Sequence, residues 1–192
     1  MAYVKHTAIH TTPKAHLKYI LNPDKNEKMK YVTGICCGDD LETAYDNFKE
    51  IFEKYNDENF DNCGTSQKSG KRNIRIHSYT QSFDSGVSAE EAHRIGVEWA
   101  KKVFGENRPI IVSTHSNTDH CHNHIAVCPY DLDGIRWHSN RKTLDFVRKR
   151  SDEICLEHGL DIIKNPKRNS TISYKEHDAR TVSYTHLTLP TT

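Results

Sequence analysis

The 192 residues of the chain suffice for one domain with a single substantial core. The 27 lysine and arginine residues nearly balance the 26 aspartate and glutamate residues, so the net charge of +1 excludes a uniformly basic nucleic-acid-binding domain. No apolar run approaches the roughly 18 residues that a membrane-spanning helix needs, and the first residues carry no signal core, so we expect a cytoplasmic protein.

Histidine is the residue type that stands out in the composition. The chain has 13 histidines, and four of them lie between residues 115 and 124. The six cysteines, in contrast, form no CxxC pair, which argues against a zinc ribbon or a disulfide framework. We therefore look for chemistry among the histidines and expect reduced, mostly structural thiols.

The predicted elements begin with a strand over Tyr3–His10, where apolar and polar residues alternate. Pro13 opens a short helix over Lys14–Leu21, which ends before Pro23 because a proline disfavours helical structure in the residue that precedes it. A second strand is predicted near Tyr31–Cys36.

A longer amphipathic helix follows. Asp39 or Asp40 is placed to cap its start, and apolar residues at helical spacing carry the helix to about Tyr55. Residues 56–70 are polar and contain glycine, which indicates a flexible loop. The next strand is predicted over Arg72–Ser82.

Two further helices have clear capping signals. Ser88 forms a capping box with Glu91, and Gly105 ends that helix at the usual left-handed position. The last helix is predicted over Arg141–His158, with Asn140 as its cap. Hairpins combined with crossover helices predict an α+β fold, in which a central, mainly antiparallel sheet carries helices on one face.

Between these two helices lies a predicted antiparallel hairpin. Its strands cover Pro109–His115 and Cys121–Pro129, and a tight turn at Ser116–Asp119 joins them. Because alternate residues of a strand share a face, the second strand presents its histidines on one side of the sheet. These histidines are His120, His122 and His124.

The hairpin gathers histidines at a spacing that suits a metal ion. His115 is predicted to lie opposite His120 and diagonal to His122 on the same face, roughly 5–8 Å from each. We therefore expect one ion to be bound by His115, His122 and His124. Asp119, at the turn, is the expected acceptor that orients a ligand ring. Three ligands with an open position indicate catalysis, and an all-histidine set suits Zn, Mn, Ni or Cu better than Mg.

These residues occur in an order that resembles a known family. The pattern His-x3-Asp-x2-His-x-His at residues 115–124 resembles the histidine motif of the conjugative relaxases, the mobilisation-protein type of HUH endonuclease. Upstream, residues 18–23 resemble the nucleophile motif of that family, with Tyr19 as the nucleophile. Residues 81–83 resemble its middle motif, whose serine, here Ser82, is associated with DNA contact.

The resemblance continues after the histidines. Residues 137–144 and the helix at 151–160 are similar to the stretch that follows the histidine motif in relaxases, so the resemblance covers about residues 1–165. Two positions depart from the family pattern. Cys128 stands where relatives often have asparagine, and Asn117 stands where they often have an acidic residue, but neither is an expected ligand.

The resemblance implies a metal-dependent DNA relaxase that acts in the mobilisation of a plasmid or another mobile element. In such a reaction Tyr19 attacks one strand at an origin of transfer and forms a 5′-phosphotyrosine link, while Asp119 or His120 accepts the phenolic proton. The family uses Mg or Mn, and its partners are single-stranded DNA, an accessory relaxosome protein and a coupling protein. The residues that we expect to contact DNA are Ser82, Arg75, Arg136, Arg141 and Lys142.

Two other functions stay open on the sequence alone. A metal-dependent phosphodiester hydrolase would need the same histidines, but it would activate water and form no covalent intermediate. A non-catalytic DNA-binding module would use the metal for structure only. Trapping of a protein–DNA adduct separates the relaxase from the hydrolase, and loss of nicking on chelation, with DNA binding retained, argues against the non-catalytic module.

The end of the chain differs in character from the rest. We expect residues 1–165 to form the nuclease domain and residues 166–192 to be a truncated or disordered tail. Residues 182–192 contain no acidic residue, lysine or arginine and show no helical periodicity. They are similar to translated adaptor sequence, so we expect a sequencing artefact there.

Overall fold

The computed structural model describes residues 3–61, 73–118 and 120–162. The expected tail at 166–192 lies outside these ranges, as do Asp119 and part of the predicted polar loop. No helix in the three ranges is both long enough and apolar enough to cross a bilayer.

The described strands form one five-stranded sheet in the order β1-β3-β5-β4-β2. All four pairings of neighbouring strands are antiparallel. This arrangement, with helices between the strands in sequence, confirms the predicted α+β class. The strands are β1 (Tyr3–Ile9), β2 (Val32–Ile35), β3 (Ile76–Ser82), β4 (Ile110–His115) and β5 (His122–Val127).

Four helices begin and end close to their predicted positions. Side-chain oxygens of Asp40, Ser88 and Asn140 accept backbone N–H groups in the first turns of their helices. Gly105 ends its helix with a φ of 81°, which glycine adopts without steric penalty. The helices are α1 (Pro13–Ile20), α2 (Leu41–Tyr55), α3 (Ala89–Phe104) and α4 (Arg141–Glu157).

Helices cover both faces of the sheet. On one face, α3 and α4 pack in a buried cluster that contains Trp99 and Val112. On the other face, α1 and α2 pack in a second cluster that contains Phe48 and Ile111. The expectation that all helices lie on one face is therefore wrong. The continuous apolar run at 110–112 is typical of a strand that is buried on both faces.

The predicted hairpin forms, but its register differs from the prediction. His115 pairs with His122 rather than with His120. The connection therefore runs over residues 116–121 and is longer than the tight turn expected at 116–119. Because the register differs by two residues, an even number, the strand faces are unchanged and the histidines of β5 keep their predicted side.

Candidate active site

Three histidines converge on the sheet face that α1 and α2 cover. His115 ends β4, and His122 and His124 lie in the paired first half of β5. Their ring centroids are 5.3, 4.4 and 5.0 Å apart. One candidate ligand atom from each residue lies within 4.8 Å of the others, which puts three nitrogens within reach of one cation.

Backbone carbonyl groups orient two of these rings. Nε2 of His115 lies 2.9 Å from the carbonyl oxygen of Ile20, and Nδ1 of His122 lies 3.3 Å from that of His120. A carbonyl oxygen only accepts, so each ring donates from that nitrogen and keeps the lone pair of its other nitrogen. The acceptors found are thus main-chain groups, whereas Asp119, the predicted acceptor, lies outside the described residues.

The third ring has a buried nitrogen that no described residue contacts through a hydrogen bond. Nε2 of His124 is shielded from solvent, and no described residue forms a hydrogen bond with it. Burial, and then the neighbouring His115 and His122, lower the pKa of His124 to about 3. Burial also lowers the pKa of His115. Neutral imidazoles are the form that binds a metal, so the residues present fit a divalent cation.

Tyr19 lies beside the three histidines. Its ring centroid is 5.9 Å from that of His115 and 5.5 Å from that of His124. Leu17 and Ile20 are buried on the inner side of α1, which leaves the Tyr19 side chain 49% exposed at the edge of the cluster. The structure therefore brings the predicted nucleophile to the predicted ligands.

A groove of about 1260 Å³ opens beside α1. Arg136 and His16 are among the residues that line this groove. His16 also lies 3.0 Å from the Ser78 hydroxyl, and it precedes Tyr19 by about one helical turn. Because His16 lines the groove, the groove reaches to within about one helical turn of Tyr19 along α1. The sequence did not single out His16, because one histidine in a short helix carries no motif.

A buried hydrogen-bond network holds the ligand strands together from the opposite face. The Thr114 hydroxyl donates to Asn123 Oδ1 at 2.6 Å, and the Asn123 amide donates to Gln81 Oε1 at 3.0 Å. His93 of α3 joins the network through Nδ1, which lies 2.9 Å from Thr114 Oγ1. Gly96 lets α3 approach, since a Cβ there would lie 2.2 Å from Asn123 Nδ2. The strands that carry the ligands are thus fixed to each other and to α3.

Two of the residues expected to contact DNA, Ser82 and Arg75, lie in different surroundings. Ser82 pairs with His122 across β3 and β5, so it lies on the ligand face. Arg75, in contrast, is fully buried, with guanidinium nitrogens 2.9 Å from a Glu58 oxygen and 3.1 Å from the Phe60 carbonyl. The structure corrects the expectation at Arg75, because its buried side chain is not available to a phosphate.

The other expected cations are exposed. Arg136 lies at the groove, 3.3 Å from Asn73 Oδ1. Arg141 and Lys142 are exposed at the start of α4, which packs on the face opposite the histidine cluster, so the structure does not bring them to that cluster. His120 is exposed in the loop before β5 and is not one of the three converging histidines.

Known proteins resemble this chain in sequence. A family model for the MobA/VirD2-like nuclease domain of relaxases matches residues 19–160. A curated protein of Staphylococcus aureus, Protein rlx, is 33% identical over 150 residues, which cover 77% of this chain and 41% of that protein. A second Protein rlx of the same species is 42% identical over 91 residues, which cover 46% of this chain and 29% of that protein. The chain thus spans less than half the length of these relatives.

A solved structure resembles the chain in fold. The relaxase domain of MobM, solved with Mn and a 22-nucleotide oriT DNA of plasmid pMV158, matches with a TM-score of 0.63. The match covers 95% of this chain and 98% of that domain, at 14% sequence identity. At this identity the likeness shows a shared fold, in agreement with the antiparallel sheet described above.

Proposed function

The chain belongs to the MobA/VirD2-like relaxase nuclease family, and we propose that it is a metal-dependent relaxase that nicks one DNA strand at an origin of transfer. The observation that carries the proposal is the position of Tyr19, whose ring lies 5.9 and 5.5 Å from two of the three converging imidazoles. A nucleophile and a cation site this close can act on the same phosphodiester.

The proposed reaction is a transesterification. Tyr19 Oη forms a bond to the scissile phosphorus, and the bond between phosphorus and the 3′ oxygen breaks. The products are a 5′-phosphotyrosine and a free 3′-hydroxyl. The phenolic proton passes to a base, and the leaving 3′ oxygen takes up a proton. Since one phosphodiester replaces another, attack by the 3′-hydroxyl in the reverse direction reseals the strand.

His115, His122 and His124 would hold the divalent ion. When bound, the ion supplies positive charge that offsets the charge developing on the phosphate. The buried Nε2 of His124, which has no hydrogen-bond partner among the described residues, supports this assignment. The MobM relaxase domain is Mn-bound, which supports Mn as the ion. Mg is the other ion implied by the family, and Zn, Ni and Cu are compatible with the ligand chemistry.

The proton acceptor is proposed to come from the loop that joins β4 and β5. A phenol is a weak nucleophile until its proton is removed, so a nearby base is needed. The loop begins at Ser116, whose N–H donates to the Lys25 carbonyl at 3.0 Å, and it therefore starts beside the turn that follows Tyr19. Asp119 and His120 of this loop are the proposed bases.

Single-stranded DNA at an origin of transfer is the proposed substrate. The likeness to a relaxase domain solved with oriT DNA supports it. Cationic side chains contribute to such binding through the phosphates. The proposed contacts on this chain are Ser82, Arg136, Arg141 and Lys142.

Family membership alone supports three further proposals. These are an accessory relaxosome protein and a coupling protein as partners, and a cytoplasmic location. The nuclease domain is proposed to cover residues 1–165. The compact unit Met1–Ile162 supports that boundary.

The test uses a supercoiled plasmid that carries the DNA flanking the coding sequence of this chain. Oligonucleotides tiled across the same DNA are labelled at their 3′ ends, because the 5′-phosphotyrosine keeps the 3′ fragment on the protein. With Mn, the full chain is expected to nick the plasmid and to carry the label through denaturing electrophoresis. Removal of the metal with EDTA is expected to abolish both signals.

Tyr19→Phe is the decisive variant. It is expected to bind the oligonucleotides but to form no labelled adduct. Tyr3→Phe is its matched control, because Tyr3 is 50% exposed and Tyr19 is 49% exposed. Nicking by Tyr19→Phe would favour the hydrolase. Binding without nicking by the unchanged chain, with or without metal, would favour the non-catalytic module.

A further inference from the structure

The turn that follows α1 places a lysine over the ring of Tyr19. Nζ of Lys25 lies 4.0 Å from the centroid of that ring, within the range of a cation–π contact. Among the described residues, no carboxylate forms an ion pair with Lys25. An ammonium group without a carboxylate partner among the described residues therefore lies against the ring of the proposed nucleophile. That ring itself lies 5.9 and 5.5 Å from the rings of His115 and His124.

Hydrogen bonds fix the backbone on both sides of Lys25. The next residue, Asn26, is fully buried. Its Oδ1 accepts from the N–H of Met29 at 2.8 Å, and its Nδ2 donates to Ser113 Oγ at 3.3 Å. The Lys25 carbonyl accepts from the N–H of Ser116 at 3.0 Å. Because Ser113 and Ser116 flank a metal ligand in the sequence, the place of Lys25 is tied to the place of that ligand.

The same turn holds an unfavourable backbone conformation. Glu27, Lys28 and Met29 have φ values of 52, 58 and 70°, in the left-handed region that residues other than glycine rarely adopt. Three such residues in succession persist only where their surroundings enforce them, and the buried Asn26 provides that anchor here. Strained conformations of this kind cluster at functional sites, which agrees with a functional role for the Lys25 side chain in this turn.

We propose that Lys25 is a further catalytic residue of the relaxase reaction, an inference that rests on the function proposed above. Its ammonium binds a non-bridging oxygen of the scissile phosphate and holds the Tyr19 ring in position for attack. As Tyr19 Oη bonds to phosphorus and the 3′ oxygen leaves, Lys25 offsets the negative charge on the phosphoryl oxygens. Lys25 stays protonated throughout, so the proton balance of the transesterification is unchanged.

The test compares Lys25→Gln, Lys25→Arg and Lys28→Gln in the full chain. Lys28 is the matched control because it is exposed and belongs to the same turn. The rate of labelled adduct formation is measured in single turnover, with saturating Mn and the oligonucleotide that gives the strongest adduct with the unchanged chain. Lys25→Gln is expected to slow this step about 100-fold, Lys25→Arg to recover about tenfold, and Lys28→Gln to match the unchanged chain.

Two binding measurements separate a catalytic role from a structural one. Oligonucleotide affinity is expected to change by less than about threefold in Lys25→Gln, because the contact matters most in the transition state. Mn affinity, measured by calorimetry without DNA, is expected to rise about two- to tenfold, because a positive charge beside the cation site is removed. A substitution that only disturbed the fold would lower Mn affinity instead.

Three results would overturn the inference. Adduct formation by Lys25→Gln at the unchanged rate would remove Lys25 from the reaction. Slow adduct formation accompanied by lower Mn affinity and a lower melting temperature would make Lys25 a structural residue. Absence of any adduct with the unchanged chain would contradict the proposed function itself, and the role of Lys25, which rests on it, would be contradicted as well.

Discussion

The ring of Tyr19 meets the ring of His124 edge to face, with their centroids 5.5 Å apart. The contact joins the exposed end of α1 to the sheet, at an imidazole for whose buried Nε2 the described part of the chain provides no hydrogen-bond partner. A buried polar atom without a partner destabilises a folded protein unless a ligand satisfies it. The metal-free chain is therefore expected to be less stable than a variant that carries an apolar side chain in place of His124.

We predict that His124→Leu weakens metal binding and stabilises the metal-free chain. Leucine needs no hydrogen-bond partner, so its introduction is expected to add about 1–2 kcal/mol to the free energy of unfolding in EDTA. Loss of one of three ligands is expected to lower Mn affinity by at least about 100-fold. Urea unfolding and calorimetry measure the two effects.

His120→Leu is the matched control for that prediction. His120 is exposed and lies outside the group of converging histidines, so its replacement is expected to leave both Mn affinity and stability unchanged. Loss of Mn affinity in His120→Leu, with affinity retained in His124→Leu, would contradict the ligand set. It would favour the register in which His115 lies opposite His120.

We predict that Gly96→Ala disturbs the network behind the ligands. The added Cβ would lie 2.2 Å from Asn123 Nδ2 and 3.3 Å from a methyl group of Val112, so α3 must move outward. The expected cost is about 2 kcal/mol of unfolding free energy. Mn affinity is expected to fall about tenfold, because Asn123 lies between two ligands in β5.

A double-mutant cycle gives the control for Gly96. In an Asn123→Ala background the clashing amide is gone, so Gly96→Ala is expected to cost at least about 1 kcal/mol less. Urea unfolding of the four proteins measures this coupling. If the two substitutions have strictly additive effects on the free energy of unfolding, Gly96 and Asn123 are not in contact.

Helix limits and strand faces could be predicted because their signals are local. Asp40, Ser88 and Asn140 cap helices through side chains that reach only two or three residues along the chain. Alternation likewise puts His122 and His124 on one face. The register was not predictable, because residues 116–121 contain no turn pair of the Asn-Gly type to define where pairing starts.

Burial and turn geometry depended on neighbours that are distant in sequence. Arg75 has the sequence context of an exposed cation, but it is buried and its guanidinium donates to Glu58 and to the Phe60 carbonyl, which belong to another segment. Lys25 contacts the Tyr19 ring from a turn in which the following residues 27–29 are left-handed. Residues other than glycine give no sequence signal for that conformation, so this lysine could not be singled out.

We predict that the metal-free chain loses stability as the pH falls, partly through His77. Burial, and then the charges of His6, Arg108 and Arg136, lower the pKa of His77 from 6.5 to about 3. The folded chain resists protonation at His77, whereas the unfolded chain accepts it near pH 6.5. The contribution of His77 to the free energy of unfolding is therefore complete above pH 6.5, and it is lost as the pH falls from there toward 3.

The measurement is urea unfolding in EDTA at pH 7.5 and pH 5.0. Across this interval His77 is expected to account for about 2 kcal/mol of lost stability. His77→Asn removes the titrating group and keeps a polar partner for His6, whose Nε2 lies 3.1 Å from His77 Nδ1. The variant is expected to lose about 2 kcal/mol less than the unchanged chain, and an equal loss would count against His77 as the source.

We predict that Arg136→Gln weakens DNA binding without affecting the fold. Arg136 is exposed beside the groove, so its side chain can reach a phosphate. Loss of one phosphate contact is expected to reduce the slope of log affinity against log salt by about 0.7 for single-stranded DNA. Fluorescence anisotropy over a series of NaCl concentrations measures the slope. An unchanged slope would remove Arg136 from the proposed DNA contacts.

We predict that Arg75→Met, in contrast, destabilises the fold and leaves the salt dependence of DNA binding unchanged. The substitution leaves Glu58 without its cation and removes the hydrogen bond to the Phe60 carbonyl, so it is expected to cost about 3 kcal/mol of unfolding free energy. Because Arg75 is buried, the salt slope of DNA binding by the folded variant is expected to match that of the unchanged chain. The anisotropy is measured without urea and at low temperature, so that the variant stays folded during the comparison. A reduced salt slope at unchanged stability would show that Arg75 reaches DNA in solution, and the contact expected from the sequence would then stand.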